Sequence, residues 1–290
     1  MQRDEVFVSP EWLHERLEHP DILPIDASWY LPTMMRDGAP RDGRTEYSQA
    51  HIPGAIFFDL DGQSDSASDL PHMMPDPVTF SSNMRKLGVG DGMTLVIYDG
   101  AGLFSAPRVW WMFKVMGARS VFILDGGLPA WQAVGLPVDD EPVNRSARHF
   151  TARLDATALA DLSSVQAAIG HDDATIIDAR PAERFEGAVA EPRPGLKAGH
   201  MPGARSVPFP SLIEDGKLKD VDALKAIFAD KGIAVDQPII TSCGSGVSAV
   251  TVALALAFSG AKDVRIYDGS WAEYGAHDGA AIETGADQAG

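Results

Sequence analysis

Short apolar runs recur along the chain, each closed by Asp, Cys or Gly and followed by a longer stretch of helical spacing. Residues 22–27, 94–98 and 121–124 are such runs in the first half; 175–180, 238–242 and 264–267 are their counterparts in the second. Short, rich in Ile and Val and bounded by turn residues, they read as buried strands. Between them the pattern predicts helices. Residues 11–17 follow Ser9 as N-cap and Pro10 as first helical residue, 80–87 end at Gly88, 106–116 at Gly117 and 247–259 at Gly260. Strands apolar along their whole length, alternating with helices, predict an α/β fold: a parallel sheet flanked by helices on both faces.

The pattern occurs twice. Ala50-His51-Ile52-Pro53-Gly54-Ala55 is echoed by Gly199-His200-Met201-Pro202-Gly203-Ala204, and the 94–98 strand ends at Asp99-Gly100 where its partner ends at Cys243-Gly244. The spacing is 149 residues from His51 to His200 and 144 from Asp99 to Cys243. Ordered matches at nearly one offset mean two copies of one domain. A chain of 290 residues has room for both. The polar, Pro-containing stretch before residue 155 reads as the linker, giving domains 1–140 and 156–290 joined by 141–155.

Composition narrows the function. A hydrophobic fraction of 45% and a charged fraction of 22% suit a soluble globular protein. The net charge of -17 argues against nucleic acid as a partner. The most apolar run, 247–258, is too short to span a bilayer, so no membrane partner is expected, and the N-terminus does not read as a secretory signal. A single cysteine forms no internal disulfide and no Cys-based zinc site, and a lone reduced thiol fits the cytoplasm.

That cysteine stands where chemistry collects in a parallel sheet, at the carboxyl end of a strand. The loop Cys243-Gly244-Ser245-Gly246-Val247-Ser248-Ala249 leads into a helix. Its glycines let the backbone curl, and amides in such a curl form an anion nest. The helix dipole alone moves a thiol's pKa by about one unit at most. A thiolate at neutral pH therefore also needs direct N–H bonds from the loop. A cysteine-dependent phosphatase is disfavoured: it needs an arginine six positions after the cysteine, where Ala249 stands.

With Asp268-Gly269-Ser270-Trp271, Glu191-Pro192-Arg193-Pro194-Gly195 and the Gly199–Ala204 turn, this loop carries a resemblance. The chain resembles, over essentially its whole length, the tandem-domain sulfurtransferases of the rhodanese superfamily. The resemblance implies two tandem rhodanese-like domains, the N-terminal one catalytically silent with Asp99 in place of its cysteine, and Cys243 carrying sulfur as a persulfide. Thiosulfate-using members place basic residues after the cysteine; Gly244 and Ser245 instead suit a keto acid, 3-mercaptopyruvate. The implied substrate-binding residues are Arg184 and Arg193, with Gly244, Gly246, Val247 and Ser248 of the loop. Ser245, His72 and Asp61 are the implied proton relay, which would set the site in the cleft between domains. Ser248 is expected to cap the following helix. His51 and His200 are expected to be structural, and Arg180 and Arg205, without motif support, to be solvated surface charges. The acceptor would be a thiol, thioredoxin or cyanide, and no metal or other cofactor is required. A thiosulfate sulfurtransferase and a non-catalytic sulfur-relay module are the alternatives.

Overall fold

In a computed structural model, which describes residues 1–171 and 173–287, each half builds a five-stranded parallel sheet. The first runs in spatial order Phe7–Val8, Ser120–Leu124, Thr94–Tyr98, Ile22–Asp26, Ile56–Phe57. The second runs Leu159–Ala160, Val264–Tyr267, Ile239–Ser242, Thr175–Asp178, Arg205–Ser206. Strand for strand, the two orders are the same, as a duplication requires. The three inner strands of each sheet are the apolar runs of the sequence. The outer strands have two residues each, too few to show any periodicity.

Alternate residues of each inner strand face opposite ways. In the first sheet Leu95 and Ile97 point to one core, while Val96 and Tyr98 point to another. In the second, Ile177, Ile239 and Ile266 join the same core as Leu95, whereas Ile176, Ile240 and Tyr267 form a separate one. One apolar cluster therefore continues from sheet to sheet. Its middle is the pair of helices Ala106–Val115 and Ala249–Ser259, each following the central strand of its sheet and packing on the other. Nearly all of the second helix is buried, which explains its lack of a polar face.

Helix ends depart from the sequence reading. The first helix stops at His14, although Ser9 caps it as expected through the Trp12 amide. The helix expected from residue 80 begins earlier, as Pro77–Lys86, with Asp76 accepting the amides of Val78 and Thr79. The helix after Cys243 starts at Ala249, and Ser248 forms no cap bond. Ser248 has helical dihedrals, whereas a capping side chain needs an extended backbone to reach its amide. Residues 141–155 form neither helix nor strand, yet they are fastened to the first half. His149 O accepts the Asp91 amide, Ser81 Oγ accepts the Ala152 amide, and Phe150 stacks edge-on against Phe80.

Candidate active site

Cys243 follows the last residue of the Ile239–Ser242 strand and is 2% exposed. The loop behind it is stapled by the segment after the neighbouring strand. Ser270, held at φ 51°, accepts the amides of Cys243 at 3.2 Å and Gly246 at 3.0 Å and donates to Tyr267 O. The amides of Trp271 and Ala272 return bonds to the carbonyls of Cys243 and Gly244. Gly246 sits at φ 77°, and a Cβ there would come within 3.0 Å of Asp268 O, so only glycine fits.

The duplicated half shows what this type of loop does. Asp99 Oδ2 accepts the amides of Phe104, Ser105 and Ala106 at 2.8–2.9 Å, and Oδ1 accepts that of Ala101 at 2.8 Å. The first nest is filled by the chain's own carboxylate. In the second, among the described residues, the amides of Gly244, Ser245, Val247 and Ser248 meet no protein acceptor. An anion held at Cys243 thus has donors at hand.

Both arginines stand over the cysteine loop. A Cβ on Gly244 would lie 3.3 Å from Arg184 Nη2 and 3.7 Å from Arg193 Nη1. Arg184 extends from the short helix Ala182–Phe185 and is gripped by Glu191, at 2.5 Å through Nη2 and 3.2 Å through Nε. Arg193 makes no hydrogen bond or ion pair among the described residues. Burial pulls its pKa below the ordinary arginine value, opposed by the nearby Cys243. Arg180 is not a surface charge. It is 1% exposed, paired with Asp178 and Glu191, bonded to Gly199 O and stacked on Trp271. Its cost of burial is met by two carboxylates that sequence spacing does not reveal. Arg205 is half-buried and has partners. His51 and His200 are buried, with Nδ1 bonded to Tyr47 O and Phe185 O.

The other half of the chain supplies the remaining groups. His72 Nδ1 lies 2.9 Å from Ser245 Oγ, and His72 Nε2 lies 2.9 Å from Asp61 Oδ1. The histidine is 4% exposed and the aspartate side chain 67% exposed, so the row runs from the interior to solvent. The His72 hydrogen bond holds the Asp61 carboxyl below the usual carboxylate range. Trp29, which sequence reasoning missed, donates Nε1–H to the second Asp61 oxygen at 3.1 Å and meets the His72 ring edge-on. With Phe104 and Phe209, Trp29 walls a cavity of about 150 Å³ lined also by Arg184, Arg193, Cys243, Gly244, Ser245, Val247 and Ser248. Gly246 lies behind it as the turn of the loop. The cavity is the size of a small organic acid, with a sulfur at its floor, two guanidinium groups and aromatic walls.

A repeated parallel α/β domain with one cysteine-bearing anion nest, completed by residues of the other repeat, defines a rhodanese-like protein. The rhodanese-like domain family matches residues 9–134 and 161–277, and the chain belongs to that family. Among its relatives, the 3-mercaptopyruvate sulfurtransferase of Escherichia coli K12 is 46% identical, the match covering 93% of this chain and 95% of that one. The rat 3-mercaptopyruvate sulfurtransferase is 39% identical over 92% of this chain and 91% of its own. The chicken thiosulfate sulfurtransferase is 37% identical over 92% of each chain. The crystal structure of SseA, a 3-mercaptopyruvate sulfotransferase from Escherichia coli, superposes with a TM-score of 0.82 at 44% identity, covering 92% of this chain and 99% of that one.

Proposed function

We propose that this chain is an enzyme that moves sulfur from 3-mercaptopyruvate, through a persulfide on Cys243, to a thiol, thioredoxin or cyanide, releasing pyruvate. The chemistry belongs to the second repeat, 156–290; the first, 1–140, is catalytically silent but lends His72 and Asp61. The observation that carries the reading is the hydrogen-bonded row Ser245–His72–Asp61 beside Cys243 and beneath two arginines.

Arg184 and Arg193 hold the carboxylate and keto oxygen of the donor. The Cys243 thiolate attacks the donor sulfur and a new S–S bond forms. The C–S bond breaks, and its electron pair passes into the pyruvate enolate, whose charge rests on the oxygen facing the guanidinium groups. The Ser245–His72–Asp61 relay takes up the thiol proton and returns it to the enolate carbon. The free loop amides carry the anionic sulfur. A second nucleophile then removes the outer sulfur and restores the thiolate, so the kinetics are ping-pong. A lone reduced thiol suits the cytoplasm.

Mass spectrometry of the protein after exposure to 3-mercaptopyruvate tests this directly. One added sulfur is expected on the Cys243 peptide, and none in Cys243→Ser. Steady-state comparison of donors separates the thiosulfate reading: the uncharged Gly244-Ser245 pair favours the keto acid, and a larger kcat/KM for thiosulfate would overturn that choice. Sulfur loading without turnover would instead mark a relay module.

A further inference from the structure

We propose that Arg108 is a positioning residue for the sulfur-transfer reaction, acting with Asp268 as a clasp that sets His72 against Ser245. The inference rests on the relay proposed above and extends it to a pair of residues outside the cavity.

Arg108 lies on the Ala106–Val115 helix of the first repeat and is 0% exposed. One arm of its guanidinium, Nη2, donates to the carbonyl of His72 at 2.5 Å. The other, Nη1, donates to the carbonyl of Gly246 at 3.3 Å and pairs with Asp268 Oδ1 at 2.7 Å. The two arms therefore grip the backbones carrying the two halves of the relay: His72 itself, and the residue after Ser245. Asp268 completes the ring, since its other oxygen accepts the Met74 amide at 2.6 Å. His72 is thus held through its own carbonyl and through the amide two residues on.

Such restraint is needed because His72 sits at φ 60°, a left-handed conformation that a residue with a Cβ adopts only when its surroundings enforce it. Left to itself the loop would relax, and the imidazole would swing from Ser245. A buried guanidinium beside Trp111 is tolerable only with a carboxylate in contact, which is the role of Asp268. Neither group lines the cavity, so neither touches the donor. Lysine in place of Arg108 would keep a charge for Asp268 but could not span both carbonyls.

Arg108→Lys and Asp268→Asn should each lower kcat for sulfur transfer from 3-mercaptopyruvate by about 10–100-fold, as misplacement of a relay group does. KM should stay within about twofold, because Arg184 and Arg193 are untouched. The deciding measurement is a double-mutant cycle with His72→Ala. If the clasp acts through His72, adding Arg108→Lys to His72→Ala slows the enzyme no further. Multiplying losses, or a KM that rises with an unchanged kcat, would overturn the clasp while leaving the relay intact. A His72→Ala enzyme as fast as the parent would sink the relay and the clasp together. Should Arg108→Lys fail to fold, the same cycle run with Asp268→Asn separates the same outcomes.

Discussion

Arg184 and Arg193 look alike in sequence, yet they stand in different states. Two N–H groups of Arg184 are committed to Glu191, whereas the Arg193 guanidinium, among the described residues, has no hydrogen-bonded partner. A hydrogen bond to a charged group is worth about 1.5–3 kcal/mol, so Arg193→Ala should raise KM for 3-mercaptopyruvate by about 10–100-fold; an unchanged KM would remove Arg193 from the site. Asp26 is a second contrast. It matches Asp178 in the duplication, but Ser28 stands where Arg180 pairs with Asp178. Burial without a cation pushes the Asp26 carboxyl up to about 7. Its unfolded value is near 3.9, so between about pH 4 and 7 the unfolded chain sheds a proton that the folded chain keeps. Stability falls as pH rises through that window, by about 4 kcal/mol for this one group. Asp26→Asn should flatten the dependence of Tm on pH between those limits and raise Tm at neutral pH; a slope equal to the parent's would contradict the assignment. Cys243 stood out in the sequence from its strand–glycine loop–helix setting, whereas His72 and Arg193 were picked out only through the family resemblance. Trp29, Arg108 and the partners of Arg180 were not, because their roles come from side chains that meet only after folding.

Among the elements, the loop after the Thr94–Tyr98 strand bears on the cavity although it does not carry the cysteine. Asp99 ties four amides, and the loop so fixed offers Phe104 to the cavity wall and Ser105 Oγ to the Trp29 amide at 3.1 Å. Trp29 in turn holds Asp61. Asp99→Ala would strand those buried donors at a cost of about 3 kcal/mol or more, lowering Tm by about 5–10 °C. It should also reduce kcat despite its separation from the cavity. A variant with parental Tm and kcat would show that the loop needs no internal anion. The inner strands and the two glycine-terminated helices of the interface were readable from periodicity. The start of the helix at Ala249 was not: Val247 is apolar and falls within the run that reads as helix, but the loop must turn before the helix can begin.

The whole molecule is joined by its core and by backbone. Two copies of one fold were visible in the repeated motifs; how they dock was not, since docking depends on faces such as that of the Ala249–Ser259 helix, which is apolar all round. Because one apolar cluster runs through both sheets, the chain should melt in a single cooperative transition by calorimetry; two separated transitions would show independent halves. At the cleft, Gly102 of the first half meets Gly216 of the second so closely that a Cβ on Gly102 would come within 2.8 Å of the Gly216 Cα. Gly102→Ala should therefore lower both Tm and kcat, by prising the halves apart at this contact; parental values in a thermal melt and a steady-state assay would show that the contact can yield. The nest occupied by Asp99 has a further thermodynamic consequence. Buffer oxyanions such as sulfate encounter one cradle already filled from within and one in which, among the described residues, the amides of Gly244, Ser245, Val247 and Ser248 are uncommitted. Their protection against heat should accordingly follow a one-site isotherm, and the same ions should compete with the sulfur donor at that single address.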